Sequence, residues 1–413
     1  MATVLLLLDA LRHDYVNEVD TPFLWQCSKE GEYYKKVIPS YGFCERAEIL
    51  TGEKPNNTGF FTAIGYDPDN SPYKSFKYTF PYKLIESLIP KKLRIPGKEH
   101  PGGFYRLYRK LLQKIISRDI NGMQMYNIPL ELLSHFALTE DRIDHRDSEA
   151  FNVPSILSML KEEKRRFFYD SFSALNLALN GDDDDRLQMV LNAVKKEEDD
   201  LYLVYIAAPD SIGHKFGPNS DTLKKALTRL DFKLAEFTNE FERIAPNSNY
   251  IYLGDHGMLP VESTFDPKKE LDTMLRGLNL CLGEDYVYFL DSTIVRFWFN
   301  SPRAKDLLES RLRNNIRFLS KGVFVDDSFL RKEFLPINDR RYGHLVWMAN
   351  PGVIVFPDFF HQSEPCKGMH GYSPDLLESQ GTCIVYGANV ESQYVESIPL
   401  TGVYKILKRY LNI

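Results

Sequence analysis

Three short apolar runs, at residues 3–8, 201–207 and 250–253, each end at or beside an aspartate. Their length and their aliphatic, β-branched and aromatic content are those of strands buried on both faces, as in a parallel sheet. In an open α/β sheet, ligands bind outside the carboxyl ends of the strands, so Asp9, Asp210 and Asp255 are aimed into one crevice. Between the second and third runs, Leu223, Ala226, Leu227, Leu230, Leu234, Phe237 and Phe241 recur at helical spacing, giving an amphipathic crossover helix that Asp221 could cap. Further strands are expected at 345–348, 353–356 and 383–386, and a closing helix at 403–411.

These elements predict one large α/β core with inserts. The core comprises residues 1–75, 195–265 and 340–413. Residues 76–194 separate parts that the crevice needs as neighbours and read as an inserted helical cap, with 266–339 a smaller insertion. The acidic run at 182–185 reads as a solvated loop, since nothing fixes a cation-binding geometry.

Hydrophobic content of 43% and charged content of 26% over 413 residues suit a globular chain. A net charge of −6 disfavours nucleic acid as a bulk partner. Basic clusters at Lys91, Lys92 and Arg94, and from Arg106 to Lys114, read as solvated helix faces that could meet an anionic substrate or lipid headgroup locally. Five cysteines without paired spacing point to a reducing, cytoplasmic location. The apolar start lacks the basic region of a signal peptide, and no stretch approaches the ~18 apolar residues of a transmembrane span.

Asp210 and His214 lie four residues apart after a strand, so one turn could offer a carboxylate and an imidazole to one ion. Asp255 and His256 follow another strand and could reach a metal from different directions. His370 sits in a loop rich in Gly and Pro where backbone can approach a ligand closely. The other six histidines have no strand-terminal carboxylate beside them and read as structural or surface residues.

In this order the motifs resemble the nucleotide pyrophosphatase and phosphodiesterase branch of the alkaline phosphatase superfamily. The matching pieces are Leu8-Asp9-Ala10-Leu11-Arg12, Pro39-Ser40 with Leu50-Thr51-Gly52, Pro209-Asp210 with Gly213-His214, Gly254-Asp255-His256-Gly257-Met258, and Gly368-Met369-His370-Gly371-Tyr372. Residues 343–346 followed by Asn350-Pro351-Gly352 look like that family's late strand pair. The resemblance implies a three-layer α/β/α sandwich with a mostly parallel sheet. It also implies two divalent ions, one bound by Asp210, His214 and His370 and the other by Asp9, Asp255 and His256. Zinc suits these donors, with manganese possible. Ions about 4 Å apart would clamp a phosphoryl group.

The sequence departs from the family at the nucleophile. The Ser or Thr expected ten residues before Gly52 is Gly42. Cys44 as a thiolate, Ser40 from an altered turn, or a metal-bound hydroxide could replace it. Glu45 stands where the phosphodiesterases hold phosphate with an Asn, and Arg46 matches an arginine of the related sulfatases, so both are candidate substrate-binding residues. The expected function is hydrolysis or transfer at a phosphomonoester, phosphodiester or pyrophosphate bond of a small phosphorylated substrate. The alternatives are a degenerate member that binds metal or a phospholigand, and a phosphotransferase of envelope or polysaccharide assembly.

Overall fold

The computed structural model describes residues 2–76, 79–89, 92–95, 98–101, 103–117, 123–170, 182–197 and 199–413. Lys91 and the other undescribed positions of the 76–194 segment lie outside these residues. The main elements run β1 (Thr3–Leu8), α1 (Pro22–Glu30), β2 (Glu32–Ile38), α2 (Glu45–Thr51), α3 (Phe80–Leu88), α4 (Gly103–Ile116), α5 (Ile156–Glu162) and β3 (Phe167–Tyr169). They continue with α6 (Asp183–Lys196), β4 (Leu201–Ile206), α7 (Ala208–Phe216), α8 (Asp221–Ile244), β5 (Asn249–Gly254), β6 (Gly381–Gly387), β7 (Gln393–Pro399) and α9 (Gly402–Leu411).

One seven-stranded sheet has the order β7-β2-β6-β5-β1-β4-β3, and β6 alone runs antiparallel to its neighbours. Strand β1 lies between β4 and β5 in unbroken register, so the three apolar runs are adjacent and their carboxyl ends coincide. Alternate residues of β1 enter two apolar layers. Leu5 and Leu7 pack with Ile49 and Leu50 of α2, Leu157 of α5 and Leu407 of α9. Val4, Leu6 and Leu8 pack on the other face with Leu24 of α1, Val190 of α6 and Leu234 of α8. The result is the expected α/β/α sandwich, built because every position of β1 is buried.

Two local expectations change. Helix α8 begins as predicted, but Ser220 caps it by accepting from the Leu223 N–H at 3.2 Å, and Asp221 is its first residue. The acidic run is no loop. Asp182 caps α6, and Asp183 in its first turn accepts from the Ala207 and Ala208 N–H groups, each at 2.9 Å, at the start of α7. Negative charge is favoured at helix N-termini, and here one acidic run serves two of them.

A second apolar core lies outside the sandwich. Strands Tyr286–Leu290, Ile294–Phe299, Leu345–Ala349 and Gly322–Val325 form an antiparallel sheet in that order. Its buried Trp298 and Trp347 share a cluster with Leu112, Met125 and Phe136, so the 76–194 and 266–339 segments contribute to one core. Strand Leu345–Ala349, from the stretch assigned by sequence to the main core, pairs here. Strand β3 and helix α6, from the 76–194 stretch, join the main sheet and its helical layer.

Candidate metal centre

At the end of β1 the Asp9 N–H donates to the Ile206 carbonyl at 3.0 Å, completing the pairing with β4. Ala10 then turns the chain in the left-handed region, φ 58°, and its N–H donates to Asp255 Oδ1 at 3.2 Å. This brings the aspartates of neighbouring strands together. Gly254 permits the approach, because a Cβ there would stand 2.0 Å from the Leu11 carbonyl oxygen. The His256 N–H also donates to Asp255 Oδ1, at 3.0 Å.

Asp210 and His214 occupy successive turns of α7, where positions four apart share a face. His370 arrives through a short antiparallel bridge between Leu259–Pro260 and Gly368–Met369, which ties its loop to the chain following His256. Its ring stacks on that of His256, with centroids 4.0 Å apart and planes at 12°. Phe43 meets the His370 ring edge-on at 5.3 Å.

All six predicted ligands therefore converge. Asp210, His214 and His370 form one group, and Asp9, Asp255 and His256 another, each with donor atoms within 4.8 Å of one another. The hydrogen bonding fits a cation in each group. His214 Nδ1 lies 2.8 Å from the Gly368 carbonyl and His256 Nδ1 lies 2.9 Å from that of Gly257, so each donates its Nδ1–H. Each neutral Nε2 is then a lone pair, and it faces a carboxylate: Asp210 Oδ1 at 3.0 Å and Asp9 Oδ1 at 3.1 Å. Two acceptors hold such a distance only with a proton or a metal between them. Without a metal, Asp210 pulls the His214 pKa up against the cost of burial, and Asp255 and Asp9 do the same for His256. Burial and the neighbouring His256 hold His370 well below the ordinary imidazole range.

The residues expected to do chemistry divide sharply. Cys44 lies in the apolar cluster beneath the sheet, and burial followed by the charge of Glu140 pushes its thiol well above its ordinary value. That direction opposes thiolate formation. Ser40 Oγ donates to Glu48 Oε2 and accepts from Lys54 Nζ, both at 2.9 Å, inside an ion-pair network. Arg46 lies 3.1 Å from Glu140 and 2.9 Å from Asp141, both buried, and fastens α2 to the inserted segment. Glu45, the first residue of α2, comes within 4.8 Å of ring nitrogens of both His256 and His370, one imidazole from each ligand group. Burial raises its carboxyl pKa, Asp255 and Asp9 add to the rise, and His256 opposes it.

Gly42 accounts for the missing hydroxyl. Its φ is +109°, and a Cβ would lie 2.0 Å from the Phe61 carbonyl oxygen, which also accepts the Phe43 N–H at 3.0 Å. The backbone fills the space that a side chain would need. Sequence reasoning missed Tyr205, whose hydroxyl donates to Asp9 Oδ2. An aromatic hydroxyl one residue from the end of a buried strand beside β1 was the available signal.

The family description "Type I phosphodiesterase / nucleotide pyrophosphatase" matches residues 3–373. A venom phosphodiesterase of Crotalus durissus collilineatus is 24% identical over 250 residues, covering 54% of this chain and 27% of that protein. The Bis(5'-adenosyl)-triphosphatase ENPP4 of Pongo abelii is 21% identical over 214 residues, covering 51% of this chain and 44% of that one. The chain thus aligns with about a quarter of the length of the venom enzyme. Human ectonucleotide pyrophosphatase / phosphodiesterase 5 superposes with a TM-score of 0.68 at 16% identity, covering 100% of this chain and 95% of that one. Its murine counterpart, solved in complex with AMP, gives 0.64 at 15% identity with the same coverage.

Proposed function

We infer, from the premise that this chain belongs to the type I phosphodiesterase / nucleotide pyrophosphatase family, that it hydrolyses a phosphodiester or pyrophosphate bond in a small phosphorylated substrate. The observation that carries the reading is the convergence of two carboxylate and imidazole triads at the ends of β1, β5 and α7. Asp210, His214 and His370 would hold one divalent ion, and Asp9, Asp255 and His256 the second. Zinc suits this nitrogen and oxygen set, with manganese the alternative, and such ions supply Lewis acidity to the attacking and leaving oxygens.

The chain's own residues orient that centre. The Gly368 and Gly257 carbonyls fix the tautomers of His214 and His256, and Tyr205 fixes the Asp9 carboxylate. With glycine at position 42 and the Cys44 thiol buried, water is the attacking group. It adds to phosphorus as the bond to the leaving oxygen breaks, and its proton passes to that oxygen or to solvent. Glu45 reaches one imidazole of each triad and would add a carboxylate to the residues that hold the ions. The free thiols at all five cysteines suit a reducing, cytoplasmic compartment.

The test is turnover of bis-p-nitrophenyl phosphate and of the p-nitrophenyl monoester by metal-loaded protein, alongside metal content by elemental analysis. We expect two ions per chain and faster cleavage of the diester. Glu45→Gln should weaken retention of at least one ion by about 10–100-fold against a chelator, the range found when support of a metal centre is removed. Cys44→Ala should leave turnover within about twofold of the parent, because its thiol lies in the apolar layer. Two bound ions with neither ester cleaved would defeat the hydrolase reading and favour a member that binds without turnover.

A further inference from the structure

Helices α3 and α4 face solvent with their apolar sides. On α4, Phe104, Leu107, Leu111 and Ile115 form one stripe at helical spacing, and all are exposed. On α3, Phe80, Leu84, Ile85 and Leu88 are exposed on one arc. Exposure reaches 78% at Phe80, 77% at Leu88 and 73% at both Phe104 and Ile115, values expected of lysines.

The inward faces fix this orientation. Tyr105 donates to Glu86 Oε1 at 2.6 Å and Tyr108 to the Tyr82 carbonyl at 2.8 Å, joining α4 to α3. Arg109 donates to the Ile128 carbonyl at 2.6 Å, and Leu112 enters the second apolar core. Tyr105, Tyr108, Arg109 and Leu112 are turned into the protein, and Phe104, Leu107, Leu111 and Ile115 are turned out.

Charge identifies what covers them. Residues 80–116 hold nine Lys and Arg against two acidic residues, in a chain whose net charge is −6. Exposed Lys110 and Lys114 flank the α4 stripe. We propose that α3 and α4 dock the protein on an anionic lipid bilayer surface, apolar side chains entering the acyl boundary and lysines meeting headgroups. An apolar stripe edged by lysines on a helix too polar to span is the pattern of a helix lying in the interface. A second copy of this chain fits poorly, since a symmetric contact would bring the exposed Lys110 and Lys114 of two copies against one another. Nucleic acid would meet the lysines and leave two rows of large apolar side chains wet.

The experiment is flotation of the full chain with vesicles of phosphatidylcholine alone or mixed with phosphatidylglycerol, at low and high salt. Binding is expected to the mixed vesicles and to weaken with salt. Leu107→Glu with Leu111→Glu should abolish it with the melting temperature unchanged. Lys110→Glu with Lys114→Glu should lower partitioning at least about thirtyfold, from the contribution of each basic residue near an anionic surface. Failure of the parent protein to float with mixed vesicles would overturn the proposal. So would a dimer in sedimentation velocity that the paired Leu→Glu variant converts to monomer, since a second copy would then cover the face.

Discussion

At residue 42 the requirement is geometric before it is chemical. A hydroxyl nucleophile needs a Cβ, and the Phe61 carbonyl oxygen stands 2.0 Å from where it would be. Gly42→Ser should therefore restore nothing. It should also destabilise the fold by at least about 1–3 kcal/mol, the cost of holding a non-glycine residue in such a backbone conformation. Thermal denaturation with parallel diesterase assays checks both; a serine variant that gains activity at unchanged stability would show the loop able to open. The sequence made the absence of the hydroxyl legible but not its cause, because the obstructing carbonyl comes from a residue nineteen positions away. The six metal-binding candidates were legible for the opposite reason. Five lie beside a strand end, and His370, which a bridge to Leu259–Pro260 carries into place, was legible through the resemblance of its Gly368-Met369-His370-Gly371-Tyr372 motif.

At the scale of elements, α2 separates what could be read from what could not. Glu45 and Arg46 were both candidates for the site, yet which of them faces the crevice depends on helical phase, and phase was set by a partner outside the sequence window. Arg46 turns away to Glu140 and Asp141 in the inserted segment, leaving Glu45 toward the imidazoles. Those carboxylates have side-chain exposures of 0% and 4%, so removing the guanidinium strands buried charge. Arg46→Ala should lose about 3–5 kcal/mol in urea denaturation. A substrate-binding role predicts the reverse pattern, a raised KM with unfolding unchanged. The acidic run at 182–185 was misread on the same ground. Its function as a cap for α7 depends on a helix more than twenty residues on, and composition alone reads as solvated charge.

Across the whole molecule, four carboxylates, of Asp9, Asp210, Asp255 and Glu45, converge on three imidazoles. Such a concentration of negative charge must be balanced by protons or by metal. In the metal-free protein His214 and His256 take that role, since their acidic neighbours raise both pKa values well above the ordinary imidazole value. His370, whose pKa is depressed, holds no proton to release. Metal must displace the protons on the first two and those on Glu45 and Asp255, whose carboxyls burial pushes up to about 8 and about 7, so affinity falls as pH falls through and below neutrality. Each proton displaced changes the apparent affinity by about tenfold per pH unit while the metal-free group remains protonated, and two together approach a hundredfold. The direction follows from the sign of the shift: groups with raised pKa values stay protonated through neutral pH, and competition ends only above their folded-state values. Calorimetric titration of metal-free protein with zinc, in buffers of different ionisation enthalpy, counts the protons released. Release close to zero at neutral pH would mean that the imidazoles are already neutral and that the carboxylates are balanced by other groups.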